Sequence, residues 1–371
     1  MELINVLRDQ LLRPLQIVSG IVERRHTLPI LANLLIRKNG KKISFISTDI
    51  EIQITTHSEI ANNDHQIDIT VAARKLVDIL RAIPDGPVKL SLTNKKIAIE
   101  SGKSSFSLQT LDAEEFPILS ETNDFGTQFN LSQKNFKQLI TMVHFAMAHQ
   151  DIRYYLNGML LVIEGNTIEA VATDGHRLAY STVNSQPAIT PNNQRQEVII
   201  PRKTIIELQR LLEDSDESIE IYFSSTQAKF KFNQIELLSK LVEGKFPDYQ
   251  RVIPKNYKNT FTLERDLLQS ALQRAAILTS DKFKGVRCIV DKNSFKVNST
   301  NNDQEEAKEE IEVTYQGDAI DMGFNVTYLL DVLSNIKDEK IQFSLGDSNS
   351  SALMMIPDDS SFKYVVMPMR I

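Results

Sequence analysis

Several residue types and patterns that mark particular protein classes are scarce or absent here. The 371 residues include a single cysteine, Cys288, and no tryptophan. One cysteine cannot form an intrachain disulfide, and without a cysteine cluster there is no thiolate site for zinc or an iron–sulfur centre. A reducing cytoplasm is therefore expected. No stretch of roughly 18 consecutive apolar residues occurs, so no membrane partner is expected.

The sequence also lacks a basic surplus and the motifs of common enzymes. Lys and Arg number 42 against 48 Asp and Glu, a net charge of −6, which argues against a uniformly basic nucleic-acid-binding domain. There is no P-loop, dinucleotide fingerprint, zinc-protease helix or nucleophile elbow. The six histidines have no metal-ligand spacing. No metal ion and no cofactor are therefore expected.

The sequence does contain a unit repeated three times. Three markers of the first third return in the same order in the middle third, each displaced by about one third of the chain. The pairs are Thr48–Asp49 with Thr173–Asp174, Arg74–Lys75 with Arg202–Lys203, and Pro117 with Pro247. Residues 263–278 and 325–338 fall where a third copy requires its two helices. Polar linkers are expected at 120–127 and 254–260. The predicted domains are 1–125, 128–253 and 254–371.

Each copy combines two helical patterns with several strand patterns. Apolar residues three and four apart predict helices, with cores at 7–18, 76–83, 136–147, 205–212, 267–271 and 326–336. The charged N-terminal stretch from Met1 is assigned to the first helix and not to a signal peptide. Alternation predicts strands, as at Ile50, Ile52 and Ile54. The expected fold is α+β, with two helices packed on antiparallel sheets in each domain.

The negative net charge is unevenly distributed along the chain. The six predicted helices with their immediate ends carry +9, which leaves −6 − 9 = −15 for the remainder. Basic helix faces are often merely solvated. However, positive helices in an otherwise acidic chain are also suited to line a hole that surrounds DNA phosphates.

One loop carries residues of the kind that catalysis uses. Asp174 and His176 lie together in the sequence TDGHRLAY, and an Asp–His pair can act as acid and base. The alternative is a tight turn in which Asp174 accepts backbone amides and Gly175 supplies the backbone geometry. Because Thr48–Asp49 recurs without a histidine, the repeat favours the turn.

Six long stretches, spread from end to end of the chain, are similar to segments of one protein family. They are HTLPILANLLI (26–36), MAHQDIRYYLNGML (147–160), VATDGHRLA (171–179), SKLVEGKFPDYQRVIP (239–254), EEAKEEIEVTY (305–315) and YVVMPMR (364–370). The family they resemble is the bacterial sliding clamp, the beta subunit of DNA polymerase III. The resemblance implies three tandem copies of the DNA-clamp fold, a six-domain homodimeric ring around double-stranded DNA, and no catalytic activity.

The resemblance also implies a groove between the second and third domains. It would receive short hydrophobic peptides of the polymerase III core, the clamp loader, other DNA polymerases and repair proteins. Apolar side chains would form an adaptable floor, with Arg and His as polar anchors at the rim. Asn349 stands where the family usually has an apolar residue, so a different peptide preference is expected. The implied groove residues are Leu156, Thr173, Gly175, His176, Arg177, Leu178, Pro247, Arg251, Val252, Phe283, Asn325, Tyr328, Ser351, Val365, Val366, Met367, Pro368, Met369 and Arg370.

Two further surfaces follow from the same resemblance. The implied DNA contacts are Arg25, Gln150, Tyr154 and Tyr155. The implied dimer seam joins domain one of one subunit to domain three of the other, and opposite charges suit such a head-to-tail contact. Its residues are Lys103, Phe106, Ile277, Leu278, Glu305 and Glu306. Without the resemblance, the acidic run would be a solvated loop, the tyrosine pair the start of a strand, and 364–370 a buried terminal strand.

The sequence therefore predicts a cytoplasmic, non-catalytic DNA sliding clamp that acts as processivity factor of the bacterial replicative polymerase. Two alternatives remain open. One is a small-molecule hydrolase centred on Asp174 and His176, and the other is a protein-interaction scaffold that does not encircle DNA.

Overall fold

The computed structural model describes residues 2–370 apart from 24–27, 60–65, 186–189, 191–193, 256 and 281. Within these residues, each third of the chain repeats one order of elements: strand, helix, four strands, helix, three strands. This repetition matches the three units seen in the sequence. No helix in the described part of the chain is long and apolar enough to cross a membrane.

The first third differs from the sequence prediction at two points. Its elements are β1 (Glu2–Leu7), α1 (Arg8–Val18), β2 (Asn33–Asn39), β3 (Lys42–Thr48), β4 (Ile52–Glu59), β5 (Gln66–Ala72), α2 (Ala73–Ala82), β6 (Pro87–Thr93), β7 (Lys96–Ser101) and β8 (Ser104–Gln109). The prediction of a helix from Met1 is wrong, because β1 pairs antiparallel with β6 and α1 begins only at Arg8. Ile50 does not share a strand face with Ile52 and Ile54, since it lies in a turn at φ 73° before β4.

In the middle third, the first helix is shorter than predicted. The elements are β9 (Thr127–Ser132), α3 (Gln133–Thr141), β10 (Gly158–Glu164), β11 (Thr167–Thr173), β12 (Arg177–Asn184), β13 (Gln196–Pro201), α4 (Arg202–Leu211), β14 (Ser218–Phe223), β15 (Gln227–Phe232) and β16 (Ile235–Lys240). The expected helix core 136–147 is wrong at its end, because the chain leaves α3 after Thr141 and makes a 3₁₀ turn at His144–Ala146.

The last third corrects three further expectations. The elements are β17 (Asn259–Glu264), α5 (Arg265–Ala276), β18 (Gly285–Asp291), β19 (Ser294–Thr300), β20 (Glu306–Glu312), β21 (Ile320–Asn325), α6 (Val326–Asn335), β22 (Lys340–Leu345), β23 (Ala352–Ile356) and β24 (Asp359–Val366). In α5 the buried face includes Leu268 and not Leu267, which is 58% exposed. The acidic run forms strand β20 and not a loop. The expected linker 254–260 overlaps β17, which begins at Asn259.

The described residues form two compact units, each with one eight-stranded and one four-stranded sheet. The first unit takes its residues from Met1–Gln133, Ala188–Asn193 and Arg210–Leu241, and the second from Lys134–Pro187, Gln194–Gln209 and Val242–Ile371. In the first unit the sheet orders are β5-β2-β3-β4-β16-β15-β14-β9 and β1-β6-β7-β8. In the second they are β13-β10-β11-β12-β24-β23-β22-β17 and β20-β19-β18-β21.

Helices cover the sheets through their apolar faces. Leu11, Leu15 and Val18 of α1 are fully buried, and α1 packs on β3, β4 and α2. In the last third α5 packs on α6, β19 and β20 in the same way. Burying each such Leu or Val side chain stabilises the fold by about 2 kcal/mol relative to leaving it in water. The α+β prediction, with two helices per repeat on antiparallel sheets, is confirmed.

Candidate functional site

The turn between β11 and β12 is built by hydrogen bonds from side chains to its own backbone. Asp174 Oδ1 accepts the backbone N–H groups of His176 and Arg177 at 2.9 and 3.0 Å. Thr173 Oγ1 accepts the N–H of Gly175 at 3.1 Å and donates to the carbonyl of Arg177 at 2.5 Å. Gly175 has φ +90°, a conformation that side chains disfavour. His176 is exposed to solvent.

The first third contains the same turn between β3 and β4. Asp49 Oδ1 accepts the N–H groups of Glu51 and Ile52, both at 2.9 Å, and Thr48 Oγ1 accepts the N–H of Ile50 at 3.0 Å. Both aspartates therefore serve the backbone, as the turn hypothesis requires. The hydrolase centred on Asp174 and His176 is not supported.

The side chain of Arg177 joins the middle third of the chain to the last third. Its Nε donates to Asp174 Oδ2 at 3.1 Å, its Nη1 to Asp331 Oδ2 of α6 at 2.6 Å, and its Nη2 to the Phe145 carbonyl at 2.7 Å. The guanidinium also lies over the Tyr328 ring, 4.4 Å from its centroid. Its side chain is only 9% exposed. These contacts take the guanidinium largely out of solvent, and its role as a polar anchor of the groove stays a prediction.

The charge of Arg177 is stabilised by its neighbours. Burial acts to lower the pKa of Arg177, but the oxygens of Tyr364, Asp331 and Asp174 outweigh this effect and leave the pKa above its ordinary value. The guanidinium therefore stays charged and bonded at any physiological pH. Sequence spacing gives no signal for Asp331, which lies in α6 and was not among the implied groove residues.

Strand pairing brings the other implied groove residues of the second unit together. β12 pairs with β24, so that Leu178 lies opposite Val365, and the Met367 N–H then donates to the His176 carbonyl at 2.9 Å. The Met369 N–H donates to the Gly323 carbonyl at 2.8 Å. The C-terminal residues therefore run along the turn between β11 and β12 and reach the end of β21.

The implied groove residues differ in exposure. Leu156, Leu178 and Val365 belong to one buried core cluster with Phe246 and Tyr249. The buried members of the implied set are Leu156, Thr173, Leu178, Val365 and Val366. The half-buried members are Arg177, Asn325, Tyr328, Ser351, Pro368 and Met369. The exposed members are Gly175, His176, Pro247, Arg251, Val252, Phe283, Met367 and Arg370. The set therefore combines buried apolar residues with the exposed apolar side chains of Val252, Phe283 and Met367, a composition that suits an apolar peptide.

Asn349, the residue that departs from the family pattern, lies exposed in the turn between β22 and β23. Its backbone N–H donates to Asp347 Oδ1 at 3.0 Å, and the Ser350 hydroxyl donates to the same oxygen at 2.7 Å. The carbonyl of Ser351, which follows Ser350, accepts a hydrogen bond from the Tyr257 hydroxyl at 2.7 Å. The backbone of this turn is thus held while the Asn349 side chain faces solvent.

The loop with the implied DNA contacts exposes uncharged and apolar side chains beside one ion pair. Gln150 and Tyr154 are exposed, and Ile152 is 92% exposed. Arg153 is paired with Asp151 at 2.8 Å, and this hydrogen bond lowers the pKa of Asp151 to about 2. The sequence analysis did not include Ile152 among the functional residues. The one sequence feature that marks it is its position between the charged residues Asp151 and Arg153.

Two other implied DNA contacts behave differently. Tyr155 is half-buried against the core cluster of the second unit, so its ring is less available for stacking than that of Tyr154. The tyrosine pair lies in a 3₁₀ turn, Tyr154–Leu156, and does not start a strand. Arg25 lies outside the described residues.

The implied seam residues lie on or beside two edge strands. Lys103 precedes β8 and Phe106 lies in it, whereas Glu305 precedes β20 and Glu306 is its first residue. In the described part of the chain, β8 pairs only with β7, and β20 pairs only with β19. Ile277, at the end of α5, is 76% exposed, and Leu278 is half-buried. Both strands therefore have an edge with backbone groups available to another chain.

The positive charge of the helices is partly neutralised. Arg8 pairs with Asp9, Arg265 with Asp266 and Arg274 with Glu309. Helix cations that remain exposed include Arg13, Arg74, Lys75, Arg81, Lys134 and Arg210. They lie in the first and middle thirds. No group of three or more potential metal ligands is found in the described residues.

Comparison with solved structures identifies the class of fold. A Pseudomonas aeruginosa sliding clamp (DNA polymerase III subunit beta), solved bound to griselimycin, is 42% identical to this chain. The two superpose with a TM-score of 0.94, covering 99% of each chain. The three repeats are therefore three copies of the DNA-clamp fold.

Family models and relatives agree over the whole chain. Models of the DNA polymerase III beta subunit match with the N-terminal domain at residues 1–120, the central domain at 130–248 and the C-terminal domain at 250–370. The beta sliding clamps of Pseudomonas aeruginosa and Escherichia coli are 42% and 43% identical over 368 residues, which is 99% of each chain. The chain belongs to the DNA polymerase III beta subunit family, the beta sliding clamps. It is a non-catalytic processivity factor of a family that works with DNA and polymerases.

Proposed function

We propose that two copies of this chain close head-to-tail into a ring around double-stranded DNA. The observation that carries the proposal is a rule of strand pairing between repeats. The eighth strand of the middle third, β16, pairs with the fourth strand of the first third, β4. The eighth strand of the last third, β24, pairs with the fourth strand of the middle third, β12.

In the described chain, one eighth strand and one fourth strand have no such partner from another repeat. These are β8 in the first third and β20 in the last third. A chain that joins its repeats in this way can extend the pattern only by pairing its β8 with β20 of another copy. Such a heterologous contact forms a closed ring when the rotation closes, and two copies give the six domains that the family resemblance implies.

Charge supports the same contact. Lys103 lies next to β8, whereas β20 begins at Glu306 with Glu305 just before it. Opposite charges on mating ends favour the head-to-tail orientation over head-to-head pairing. Inside the ring, exposed helix cations would attract phosphates without reading bases, which allows sliding. Gln150 and Tyr154 would add uncharged contacts to DNA, with Tyr155 beside them and Arg25 as a further cation.

The groove of the second unit is proposed to receive short hydrophobic peptides of the polymerase III core, the clamp loader, other DNA polymerases and repair proteins. The exposed Val252, Phe283 and Met367 beside a buried apolar cluster support this role. A clamp solved with griselimycin fits a peptide-binding site in the family. A replication factor of this kind would act in the cytoplasm.

The ring is tested first by the mass of the assembly in solution. Sedimentation equilibrium of the full chain at micromolar concentration is expected to give twice the chain mass of 42.1 kDa. A single chain mass at this concentration would contradict the ring and favour the scaffold that does not encircle DNA.

A further inference from the structure

A buried tyrosine anchors the segment that connects β16 to β17. The Tyr249 hydroxyl donates to Glu169 Oε2 of β11, and Arg195 Nη2 donates to the Tyr249 hydroxyl at 3.2 Å. The Tyr180 hydroxyl donates to the other oxygen of Glu169, Oε1, at 3.0 Å. The rings of Tyr180 and Tyr249 are stacked with their centroids 6.1 Å apart. Tyr249 is 4% exposed, so this is a buried polar network on one carboxylate.

The Tyr249 hydroxyl stays protonated, so that it can donate its hydrogen bond to Glu169 at any physiological pH. Burial raises the pKa of Tyr249 to about 12, and the hydrogen bond to Glu169 acts in the same direction. The hydroxyl therefore remains a donor throughout the physiological pH range. A hydrogen bond to a charged acceptor is stronger than one between neutral groups.

Tyr249 fixes the backbone that carries three implied groove residues, Pro247, Arg251 and Val252, called here the linker wall. The Tyr249 carbonyl accepts the N–H of Val252 at 3.1 Å. Tyr249 and Arg251 lie in the same 3₁₀ turn, and Pro247 is two residues before it. Each residue of the linker wall thus lies within three residues of the anchored ring.

The first third lacks the equivalent network. Ser44 is the equivalent of Glu169, because each lies four residues before the Thr of the repeated Thr–Asp pair. Leu119 is the equivalent of Tyr249, because each lies two residues after the repeated proline. Ser44 and Leu119 cannot form a carboxylate–hydroxyl bond with each other, because neither side chain has a carboxylate. Instead, the Leu119 N–H donates to the side chain of Gln53 at 3.0 Å. The clamp fold therefore does not require the Glu169–Tyr249 bond, which occurs at the junction that carries the groove.

We propose that Glu169 and Tyr249 are positioning residues that hold the linker wall where a hydrophobic peptide binds. The inference rests on the proposed peptide groove and adds two residues to it that do not touch the peptide. Loss of the bond frees the linker wall to move, so that a peptide must first order it and binds more weakly.

The test measures peptide affinity and thermal stability separately in the full chain. The probes are a fluorescein-labelled decapeptide copied from the hydrophobic tail of a bacterial replicative polymerase, and griselimycin as an unlabelled competitor. The variants are Tyr249→Phe, Glu169→Gln and the double variant. The matched control is Tyr222→Phe in the other compact unit, which removes a Tyr–Glu hydrogen bond of 2.5 Å to Glu220.

The proposal predicts that Kd for the peptide rises about fivefold in Tyr249→Phe and in Glu169→Gln. The double variant should bind no more weakly than Tyr249→Phe, because Tyr249→Phe removes the same hydrogen bond that Glu169→Gln weakens by taking away the charge and one acceptor oxygen. Tyr222→Phe should bind within about twofold of the wild type, even if its melting temperature falls. Unchanged Kd in Tyr249→Phe and Glu169→Gln would overturn the positioning role and leave the groove intact. Failure of both probes to bind the wild type would instead overturn the groove itself, and the positioning role with it.

Discussion

Arg177 shows at the scale of one residue how far sequence reasoning reaches. The bonds of Asp174 to the amides of His176 and Arg177 are local, so the residue types predicted this turn and its copy at Asp49. The bonds of Arg177 to Asp331 and to the Phe145 carbonyl join segments far apart in sequence. No spacing rule signals these bonds, so nothing in the sequence indicated that Arg177 joins the middle third to α6.

Replacing Arg177 with Ala should destabilise the fold. The change leaves Asp174 and Asp331 without their cation, and since Asp331 is partly exposed we expect a loss of about 2 kcal/mol, below that of a fully buried pair. The measurement is the urea midpoint of the full chain. Arg251→Ala is the matched control: Arg251 pairs with Asp248 but is 88% exposed, so its removal should change stability by less than about 0.5 kcal/mol. Equal losses in the two variants would contradict the junction role of Arg177.

His144 gives the protein a pH dependence of known sign. Burial lowers the pKa of His144 below its ordinary 6.5, the charge of Arg202 acts in the same direction, and the carbonyls of Thr141 and Ile140 and the charge of Asp331 oppose both. As the pH falls below 6.5, His144 becomes protonated in the unfolded chain before it does in the folded chain. The folded state therefore loses stability.

The corresponding experiment compares melting temperatures of wild type and His144→Gln at pH 7.5 and 5.5. The wild type should lose more stability on acidification than His144→Gln. The difference corresponds to the uptake of up to about one proton on unfolding. Between pH 7.5 and 8.5 the two proteins should show the same slope. Parallel curves across the acidic range would show that His144 does not titrate with unfolding.

At the scale of elements, periodicity located all six helices but not all of their ends. The helix from Met1 failed because β1 is held by β6, whose sequence lies far downstream. Helix α3 was extended to Met147 because apolar residues continue the period after the chain has turned at Thr141. Edge strands are equally hidden, since an unpaired edge depends on its neighbours in the sheet and not on its own pattern.

The proposed seam at β8 and β20 predicts that Ile277 contributes to self-association. Ile277→Asp places a charge on a residue that is 76% exposed in the single chain and would be buried in the seam. We expect the dimer Kd to rise at least about tenfold, measured by sedimentation equilibrium. Leu267→Asp in the same helix, at a residue 58% exposed and outside the implied seam, should leave the dimer Kd unchanged. A dimer that tolerates Ile277→Asp as well as Leu267→Asp would place the seam elsewhere.

The whole molecule is organised by one repeat used three times. The sequence predicted the repeat because its markers return in order, and the matching order of ten elements in each third agrees with it. How repeats join through β4 with β16 and β12 with β24 was not predictable, because the pairing of two edge strands depends on their positions in the folded sheets and not on the pattern of either strand. The net charge of −6 says nothing about this distribution, since the predicted helices with their ends carry +9 and the remainder carries −6 − 9 = −15.

The central claim, that the assembled chains surround DNA, is tested most directly by retention on circular and linear DNA. Protein loaded by its clamp loader onto a nicked circular plasmid is separated from free protein by gel filtration, before and after one restriction cut. A ring should elute with the circle and be released once the plasmid is linear, because it slides off the ends. Equal retention on the circular and the linear plasmid would contradict the ring.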